Sequence, residues 1–221
     1  EMDMATTRAY GDWLSGKKAD DFSLFRDSFA ALIGYTRRAI DLRDEKKATY
    51  YDTCLDDYEK GGSEAQLDAF FAALREKIVP VIRAVGEKPQ IDDGFLHKHY
   101  PVEIQRKFSD YLMEVMGLDR AHCGIGETEH PFTTEFTKYD VRITTHYYEE
   151  DFSYSMYSVI HEGGHALYDT GSAEELACTV LDGGVSMGIH ESQSRFYENL
   201  IGRSRPFCEV ILPELKALFP D

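Results

Sequence analysis

The stretch His161-Glu162-Gly163-Gly164-His165 decides how this 221-residue chain is interpreted. On an α-helix, side chains four residues apart lie on one face, so both imidazoles can bind one metal ion. Glu162 beside them can take a proton from a water molecule that the metal activates. Two histidines and a carboxylate in this order therefore predict the metal site of a zinc hydrolase, with Glu162 at its rim as the general base.

The residues around this motif predict one helix from Asp151 to Tyr168, with Gly171 as a stop signal. Its apolar face comprises Phe152, Met156, Val159, Ile160, Leu167 and Tyr168. A helix with this face lies against a core, where His and Glu side chains are costly unless they are paired or bind a metal. The pattern therefore favours a metal site over two surface histidines without one.

A catalytic zinc needs a third protein ligand and an open position for water. The candidates are His190 and Glu191, which lie in a second predicted amphipathic helix that ends near Gly202. The apolar face predicted for that helix comprises Ile189, Phe196 and Leu200. Neighbouring side chains on a helix point about 100° apart, so only one of the two candidates can face the ion.

Four motifs in this order make the chain similar to the Taq-type family of zinc metallocarboxypeptidases. They are His130-Pro131-Phe132, Asp140-Val141-Arg142-Ile143-Thr144, His161-Glu162-Gly163-Gly164-His165 and His190-Glu191-Ser192-Gln193. The resemblance implies that His161, His165 and Glu191 hold one zinc ion and that Glu162 is the base. It also implies a homodimer that removes single residues from the C-termini of peptide substrates. Cobalt or manganese could replace zinc in such a site.

Two further motifs of that family, Ile-Arg-x-x-Ala-Asp and Gly-x-x-Gln-Asp-x-His-Trp, are absent, and the single tryptophan is Trp13. We therefore expect residues 1–221 to be one partial catalytic domain without the family's first helices and C-terminal portion. The arginine expected to bind the substrate carboxylate belongs to the missing portion, so we expect little activity from these residues alone. The alternatives are a zinc endopeptidase and a non-catalytic fragment that binds zinc or assembles with other segments.

Other polar residues of these segments are candidates for binding substrate or supporting the ligands. His130 can donate to the developing oxyanion or make a structural hydrogen bond. Arg142 can reach the substrate, although pairing with an acidic neighbour such as Asp140 is favoured. Gln193 can orient Glu191 or touch the substrate. Asp169 is expected to face solvent.

The apolar pattern predicts a mainly helical fold with a small antiparallel sheet beside the zinc helix. Residues 1–117 are predicted to be helical, and residues 118–221 to hold the sheet and the zinc-binding helices. Thr133 to Tyr148 alternates like a pair of strands. A substrate peptide could add to their edge as a further strand, or the sheet could only brace the helix. Predicted core positions in the first half are Phe22, Phe25, Phe29, Ile33, Ile40, Leu67, Phe70, Phe71, Leu74 and Ile78.

The composition excludes several classes of partner. A net charge of −16 disfavours binding to nucleic acid or to an anionic membrane. No apolar run approaches the roughly 20 residues that span a bilayer. The four cysteines show no paired spacing, which is typical of a reduced, cytoplasmic protein.

Overall fold

A computed structural model describes residues 1–220, and this part of the chain is mainly helical with one three-stranded sheet. The predicted fold class is therefore confirmed. The chain divides into two compact units, Glu1–Val85 and a second that begins at Gly86. This boundary precedes the change of pattern at residue 118, because the helix before residue 118 packs within the second unit. Among the described helices, none is both long enough and apolar enough to cross a bilayer.

Helices form the first unit. They are α1 (Met2–Ala19), α2 (Ser23–Asp41), α3 (Tyr50–Tyr58) and α4 (Glu64–Gly86), which extends one residue past the boundary. α1 packs along α2, and α2 contacts α3. The Thr49 hydroxyl caps α3 by accepting the Asp52 amide. Ser63 accepts the Gln66 amide at the start of α4, as a capping box requires.

The core predicted for this unit is largely wrong. Ile40 is buried, but Phe22, Phe29 and Ile33 on α2 are exposed. α4 has no buried residue. Its exposed apolar residues include Phe70, Phe71, Leu74, Ile78, Val81, Ile82 and Val85. Helical spacing predicts that an apolar face exists but does not identify the surface that covers it.

Three strands and four further α-helices form the second unit. The strands are β1 (Cys123–Glu127), β2 (Thr133–Thr137) and β3 (Asp140–Thr145). The helices are α5 (Val102–Val115), α6 (Phe152–Thr170), α7 (Met187–Arg195) and α8 (Arg205–Leu218). A π-helical segment, Phe196–Gly202, continues α7. Two short 3₁₀ helices cover Gly94–His97 and Glu174–Leu176.

The sheet has the order β1-β3-β2 and is mixed rather than antiparallel. β2 and β3 form the predicted antiparallel pair, but β1 joins β3 in parallel, with Ile125 opposite Ile143. β1 was not predicted from the sequence, because Gly124 and Gly126 are typical of irregular backbone. Both glycines are on exposed positions of the strand, where they lie beside the side chains of Arg142 and Thr144.

The core of the second unit lies between the sheet and helices α5, α6 and α8. The most deeply buried apolar side chains are Leu112, Met113, Val141, Ile143, Val159 and Ile160. One buried amide, Gln105 on α5, donates to the carbonyl oxygens of Tyr100 and Tyr148 and accepts the Ser155 hydroxyl. These contacts fix α5 and the start of α6 against each other, so α6 presents its opposite face in a defined direction.

Candidate metal centre

Helix α6 carries the two histidines, and its ends are set by the residues that the sequence suggested. The Asp151 side chain accepts the Tyr154 amide at the start, and Gly171 follows the last turn. Val159 and Ile160 are fully buried against the core. His161 and His165 lie on the side that faces α7, with side chains 18% and 14% exposed.

The two glycines between the histidines allow the close packing of this region. A Cβ atom on Gly163 would lie 2.7 Å from the end of the Met116 side chain. A Cβ atom on Gly164 would lie 2.9 Å from the Ser194 Cα and 3.2 Å from the Gln193 carbonyl oxygen. The backbones of α6 and α7 therefore approach more closely than any side chain at residue 164 would permit.

This approach brings Glu191 to both histidines. One carboxylate oxygen, Oε2, lies 3.6 Å from Nε2 of His161 and 3.5 Å from Nε2 of His165. All three ligand atoms lie within 4.8 Å of one another. Ligand atoms about 2.0–2.2 Å from a tetrahedral zinc are about 3.3–3.6 Å apart, so this donor set fits such an ion. His161, His165 and Glu191 are the group that could hold the metal.

His190, the other candidate for the third ligand, has a different position. Its Nε2 atom lies 2.8 Å from Oδ1 of Asp169, and its Nδ1 atom lies 2.9 Å from Nδ1 of His165. Both ring nitrogens are therefore engaged away from the Glu191 oxygen. Asp169 is 2% exposed, so the expectation that it faces solvent is wrong. The imidazole of His190 lies against this buried carboxylate.

A second carboxylate, Glu198 in the π-helical segment, contacts His161 from the opposite side. Its Oε2 atom accepts a hydrogen bond of 3.0 Å from His161 Nδ1 and one of 3.2 Å from Arg195. Its Oε1 atom accepts a hydrogen bond of 2.8 Å from Arg203, whose guanidinium lies 3.8 Å from the Tyr157 ring centroid. Glu198 was not among the residues predicted from the sequence, although a spacing of seven from Glu191 would place both on one face of an α-helix.

The pKa values of the ligands favour metal binding. Burial, with the positive charges that neighbouring His161 and His190 can carry, lowers the pKa of His165 to about 4. Burial raises the pKa of Glu191, but Arg195, His161 and Ser194 outweigh it and hold that pKa below its usual value. At neutral pH His165 therefore offers a free lone pair and Glu191 a negative charge, as a divalent cation requires.

Glu162 is 6% exposed and thus lies in the wall of the site rather than at its rim. Its Oε2 atom accepts a hydrogen bond of 2.6 Å from the Thr133 hydroxyl on β2. Burial raises the pKa of Glu162, and the Thr133 hydrogen bond opposes this. A carboxylate with a raised pKa is a stronger proton acceptor than an exposed one, which suits a general base.

A cleft of about 410 Å³ opens over these residues. Its lining includes His130, Phe132, Thr133, Glu135, Glu162 and Met187 together with the two histidines of α6. Glu135 has a buried oxygen, Oε1, without a hydrogen-bond partner among the described residues. Burial and the nearby Asp169 and Asp182 carboxylates raise the pKa of Glu135.

The remaining candidates for substrate binding or ligand support differ in their contacts. His130 is exposed and lines it. Arg142 makes a two-pronged contact with Asp140, at 2.8 Å for each hydrogen bond, and its guanidinium stacks over Phe136. Gln193 contacts α6 through its carbonyl oxygen, which faces Gly164.

The apolar face predicted for the helix that carries Glu191 is not buried in the structure. Ile189, Phe196 and Leu200 are exposed. The buried positions of this segment are Ser194, Glu198 and Gly202. α7 therefore packs on α6 through small and polar residues, because the contact is made with the glycines and histidines of the motif.

Comparisons with known proteins identify the family. The model of the family described as Carboxypeptidase Taq (M32) metallopeptidase matches residues 1–221. "Carboxypeptidase 1" of Bacillus subtilis (strain 168) is 41% identical over 217 residues, covering 97% of this chain and 43% of the relative. "Thermostable carboxypeptidase 1" of Pyrococcus furiosus is 37% identical over 231 residues, covering 100% of this chain and 44% of the relative.

Solved structures agree with the described fold. "BsuCP Crystal Structure" superposes with a TM-score of 0.93 at 38% identity, covering all of this chain and 44% of the other. "Structure of Pyrococcus furiosus Carboxypeptidase Apo-Mg" gives a TM-score of 0.83 at 37% identity, covering all of this chain and 45% of the other. The chain thus spans less than half the length of the relatives it matches.

Proposed function

This chain belongs to the carboxypeptidase Taq (M32) metallopeptidase family, and from that premise we propose that it carries the zinc-binding and proton-transfer residues of a carboxypeptidase active site. The reaction is hydrolysis of the last peptide bond of a peptide substrate. His161, His165 and Glu191 are the zinc ligands, and Glu162 is the general base.

One observation carries this proposal. A single oxygen of Glu191 lies 3.6 and 3.5 Å from the Nε2 atoms of His161 and His165, at the edge of a cleft that Glu162 also lines. Three donors at these distances match the ligand set of a catalytic zinc, which leaves one position open. The neighbouring carboxylate with a raised pKa matches the base of such a site.

The residues of the chain have distinct roles in the proposed reaction. A zinc ion bound there would supply Lewis-acid polarisation of the scissile carbonyl and would lower the pKa of the attacking water. Glu162 accepts the proton of that water and then gives it to the leaving amine. Thr133 holds the Glu162 carboxylate through its 2.6 Å hydrogen bond. His130, which also lines the cleft, can donate to the developing oxyanion.

Metal binding is tested on the chain itself. We expect one zinc ion per chain, measured by mass spectrometry of metals after dialysis, and loss of that ion in the variant His165→Ala. Cobalt and manganese should compete for the same site, and comparison of their affinities tests whether zinc is preferred. Stoichiometric zinc in the His165→Ala variant would contradict the proposed ligand set.

Catalysis is tested in a chimera in which this chain replaces the matching part of Carboxypeptidase 1 from Bacillus subtilis, because the chain spans 43% of that relative. The variant Glu162→Gln should keep its zinc but lose turnover of a blocked dipeptide by roughly two or more orders of magnitude. The control Glu150→Gln changes an exposed acid outside the cleft and should be fully active.

The same assay separates the two alternatives. A carboxypeptidase should cleave a peptide with a free C-terminal carboxylate. It should not cleave the same peptide when its C-terminus is blocked as an amide. Equal cleavage of both peptides would instead identify an endopeptidase. A chimera that binds zinc but cleaves neither peptide would support a non-catalytic role for this chain.

A further inference from the structure

His190 and Asp169 form a pair that lies against the metal site but does not belong to the ligand set. The His190 ring connects Asp169 to His165, with contacts of 2.8 Å at Nε2 and 2.9 Å at Nδ1. Asp169 Oδ1 is a buried carboxylate oxygen. The chain of contacts therefore runs from a buried carboxylate through one imidazole to another.

The His190 ring is fixed in place by its surroundings. The Tyr168 ring packs edge-on against it, with 4.9 Å between centroids. The backbone of Gly184 lies so close that a Cβ atom there would be 2.3 Å from Cδ2 of His190. The ring cannot turn over without moving Tyr168 or this loop, so each nitrogen keeps its partner.

Only one arrangement of ring protons lets His165 bind a metal through Nε2. That nitrogen must be free of a proton, so the proton of neutral His165 must be on Nδ1. Since His165 Nδ1 then donates, His190 Nδ1 must accept and carry no proton. The proton of neutral His190 is consequently on Nε2, where it faces the Asp169 carboxylate.

We propose that Asp169 and His190 are positioning residues that select the metal-binding tautomer of His165. This inference rests on the proposed zinc site. Asp169 attracts the single proton of His190 to Nε2, His190 Nδ1 then accepts from His165 Nδ1–H, and the lone pair of His165 Nε2 is directed at the ion. Partners of this kind contribute about 10–100-fold to metal affinity.

The same reasoning assigns a different partner to the other histidine. His161 donates from Nδ1 to the carboxylate of Glu198 directly, at 3.0 Å. Glu198 thus accepts directly from His161, whereas Asp169 acts on His165 through the His190 ring. Both arrangements keep the proton of the histidine on Nδ1. His190 is therefore an acceptor in the site rather than a competing ligand.

The first test measures zinc affinity by chelator competition on the full chain. The variants are Asp169→Asn and His190→Ala, and we expect each to weaken zinc binding about 10–100-fold. The thermal midpoint of the zinc-free chain is recorded for each variant, to separate tautomer selection from loss of folding. The matched control is Asp93→Asn, which alters an exposed carboxylate 3.7 Å from His97.

The second test reads the tautomers directly. Long-range ¹H–¹⁵N correlation spectra of the zinc-loaded chain should show His165 protonated on Nδ1 and His190 protonated on Nε2 only. A His190 ring that carries its proton on Nδ1 would overturn the proposal even if a variant failed to fold.

The variant His165→Ala distinguishes failure of the proposed zinc site from failure of the positioning role. If it retains zinc, the zinc site itself is wrong. If it loses zinc while Asp169→Asn and His190→Ala bind normally, only the positioning role is wrong.

Discussion

Gly164 of α6 lies so close to Ser194 of α7 that a Cβ atom on the glycine would be 2.9 Å from the Ser194 Cα. Real Cβ atoms do not approach a backbone atom at that distance, so any side chain at residue 164 must push the helices apart. Glu191 precedes Ser194 by about one turn and is held by the same segment. The spacing of His161, His165 and Glu191, the proposed metal ligands, therefore depends on the absence of a side chain from Gly164.

The variant Gly164→Ala tests this dependence. We expect the displaced α7 to carry Glu191 away from His161 and His165, so zinc affinity should fall at least about tenfold. Overpacking of this contact should also lower the free energy of unfolding by about 1–3 kcal/mol. Both quantities are measured on the purified chain, by chelator competition and by urea titration.

A matched control is Gly34→Ala in α2, where nothing lies within 4 Å of the new methyl group. Replacing glycine by alanine inside a helix should stabilise the first unit by up to about 1 kcal/mol and leave zinc binding unchanged. Tight zinc binding by the Gly164→Ala variant would show that α7 is not held by this contact.

The sequence predicted the helix that carries His161 and His165, because a helix has a fixed period and that period places both histidines on one face. Its ends were indicated by the residue types at Asp151 and Gly171. The residue types could not decide between His190 and Glu191, because both kinds of side chain bind zinc. The choice depended on the direction in which each side chain points. The structure places the His190 ring against the buried carboxylate of Asp169, which supports Glu191 as the proposed third ligand.

The errors arise where a prediction needs contacts between distant segments. Spacing alone marks Phe70 and Phe71 as one side of a helix, but both are exposed among the described residues. Glu198 was missed because its role appears only when His161, Arg195 and Arg203 are brought around it. β1 was missed because its glycines have no apolar alternation, and its pairing with β3 is not local in sequence.

The partner of His161 provides another prediction. Removal of the carboxylate in Glu198→Ala should weaken zinc binding about 10–100-fold, because His161 Nδ1 and the two arginines lose their acceptor. Calorimetric titration with zinc measures the effect. The variant Glu198→Gln keeps one acceptor oxygen and should lose less affinity than the alanine variant.

The control for this experiment is Glu209→Ala, which breaks an exposed ion pair with Arg205 on α8. We expect that variant to bind zinc like the unaltered chain, because exposed pairs of this kind contribute little. If Glu198→Ala, Glu198→Gln and Glu209→Ala bound zinc with equal affinity, the role of Glu198 would be in packing only.

Glu135 gives the chain a predicted dependence on pH. Burial and the carboxylates of Asp169 and Asp182 raise the pKa of Glu135 in the folded state above its value in the unfolded chain. The folded chain therefore binds the proton of the Glu135 carboxyl group more tightly than the unfolded chain does. The resulting contribution to stability is fully present below the unfolded pKa of about 4.3 and is lost as the pH rises through the folded pKa.

The variant Glu135→Gln removes this titration while keeping the shape of the side chain. The free energy of unfolding of this variant, minus that of the unaltered chain, should increase as the pH rises from about 4 to 7, by an amount on the order of 1 kcal/mol, so the variant gains relative stability. Urea unfolding in the presence of a chelator gives this difference at each pH. A difference that stays constant, or that decreases with rising pH, would show that Glu135 ionises freely in the cleft.

The last prediction concerns the activity of the 221 residues by themselves. Orientation of a free peptide C-terminus usually needs a fixed cation, and arginine suits it because its planar fork binds two carboxylate oxygens. Arg142, the arginine considered for substrate binding, has another partner in Asp140, and Arg195 binds Glu191 and Glu198. The two family motifs absent from the sequence include the arginine that the family resemblance assigns to this task.

We therefore expect the purified chain with zinc to hydrolyse a blocked dipeptide at least about a hundredfold more slowly than Carboxypeptidase 1 of Bacillus subtilis, since poor positioning alone can cost that much. The zinc content of both samples is measured in parallel, so that a low rate cannot reflect an empty site. A chimera of the two proteins should recover most of the rate. Comparable specific activity of the chain and the relative would mean that an arginine among these 221 residues leaves its carboxylate partner and binds the substrate.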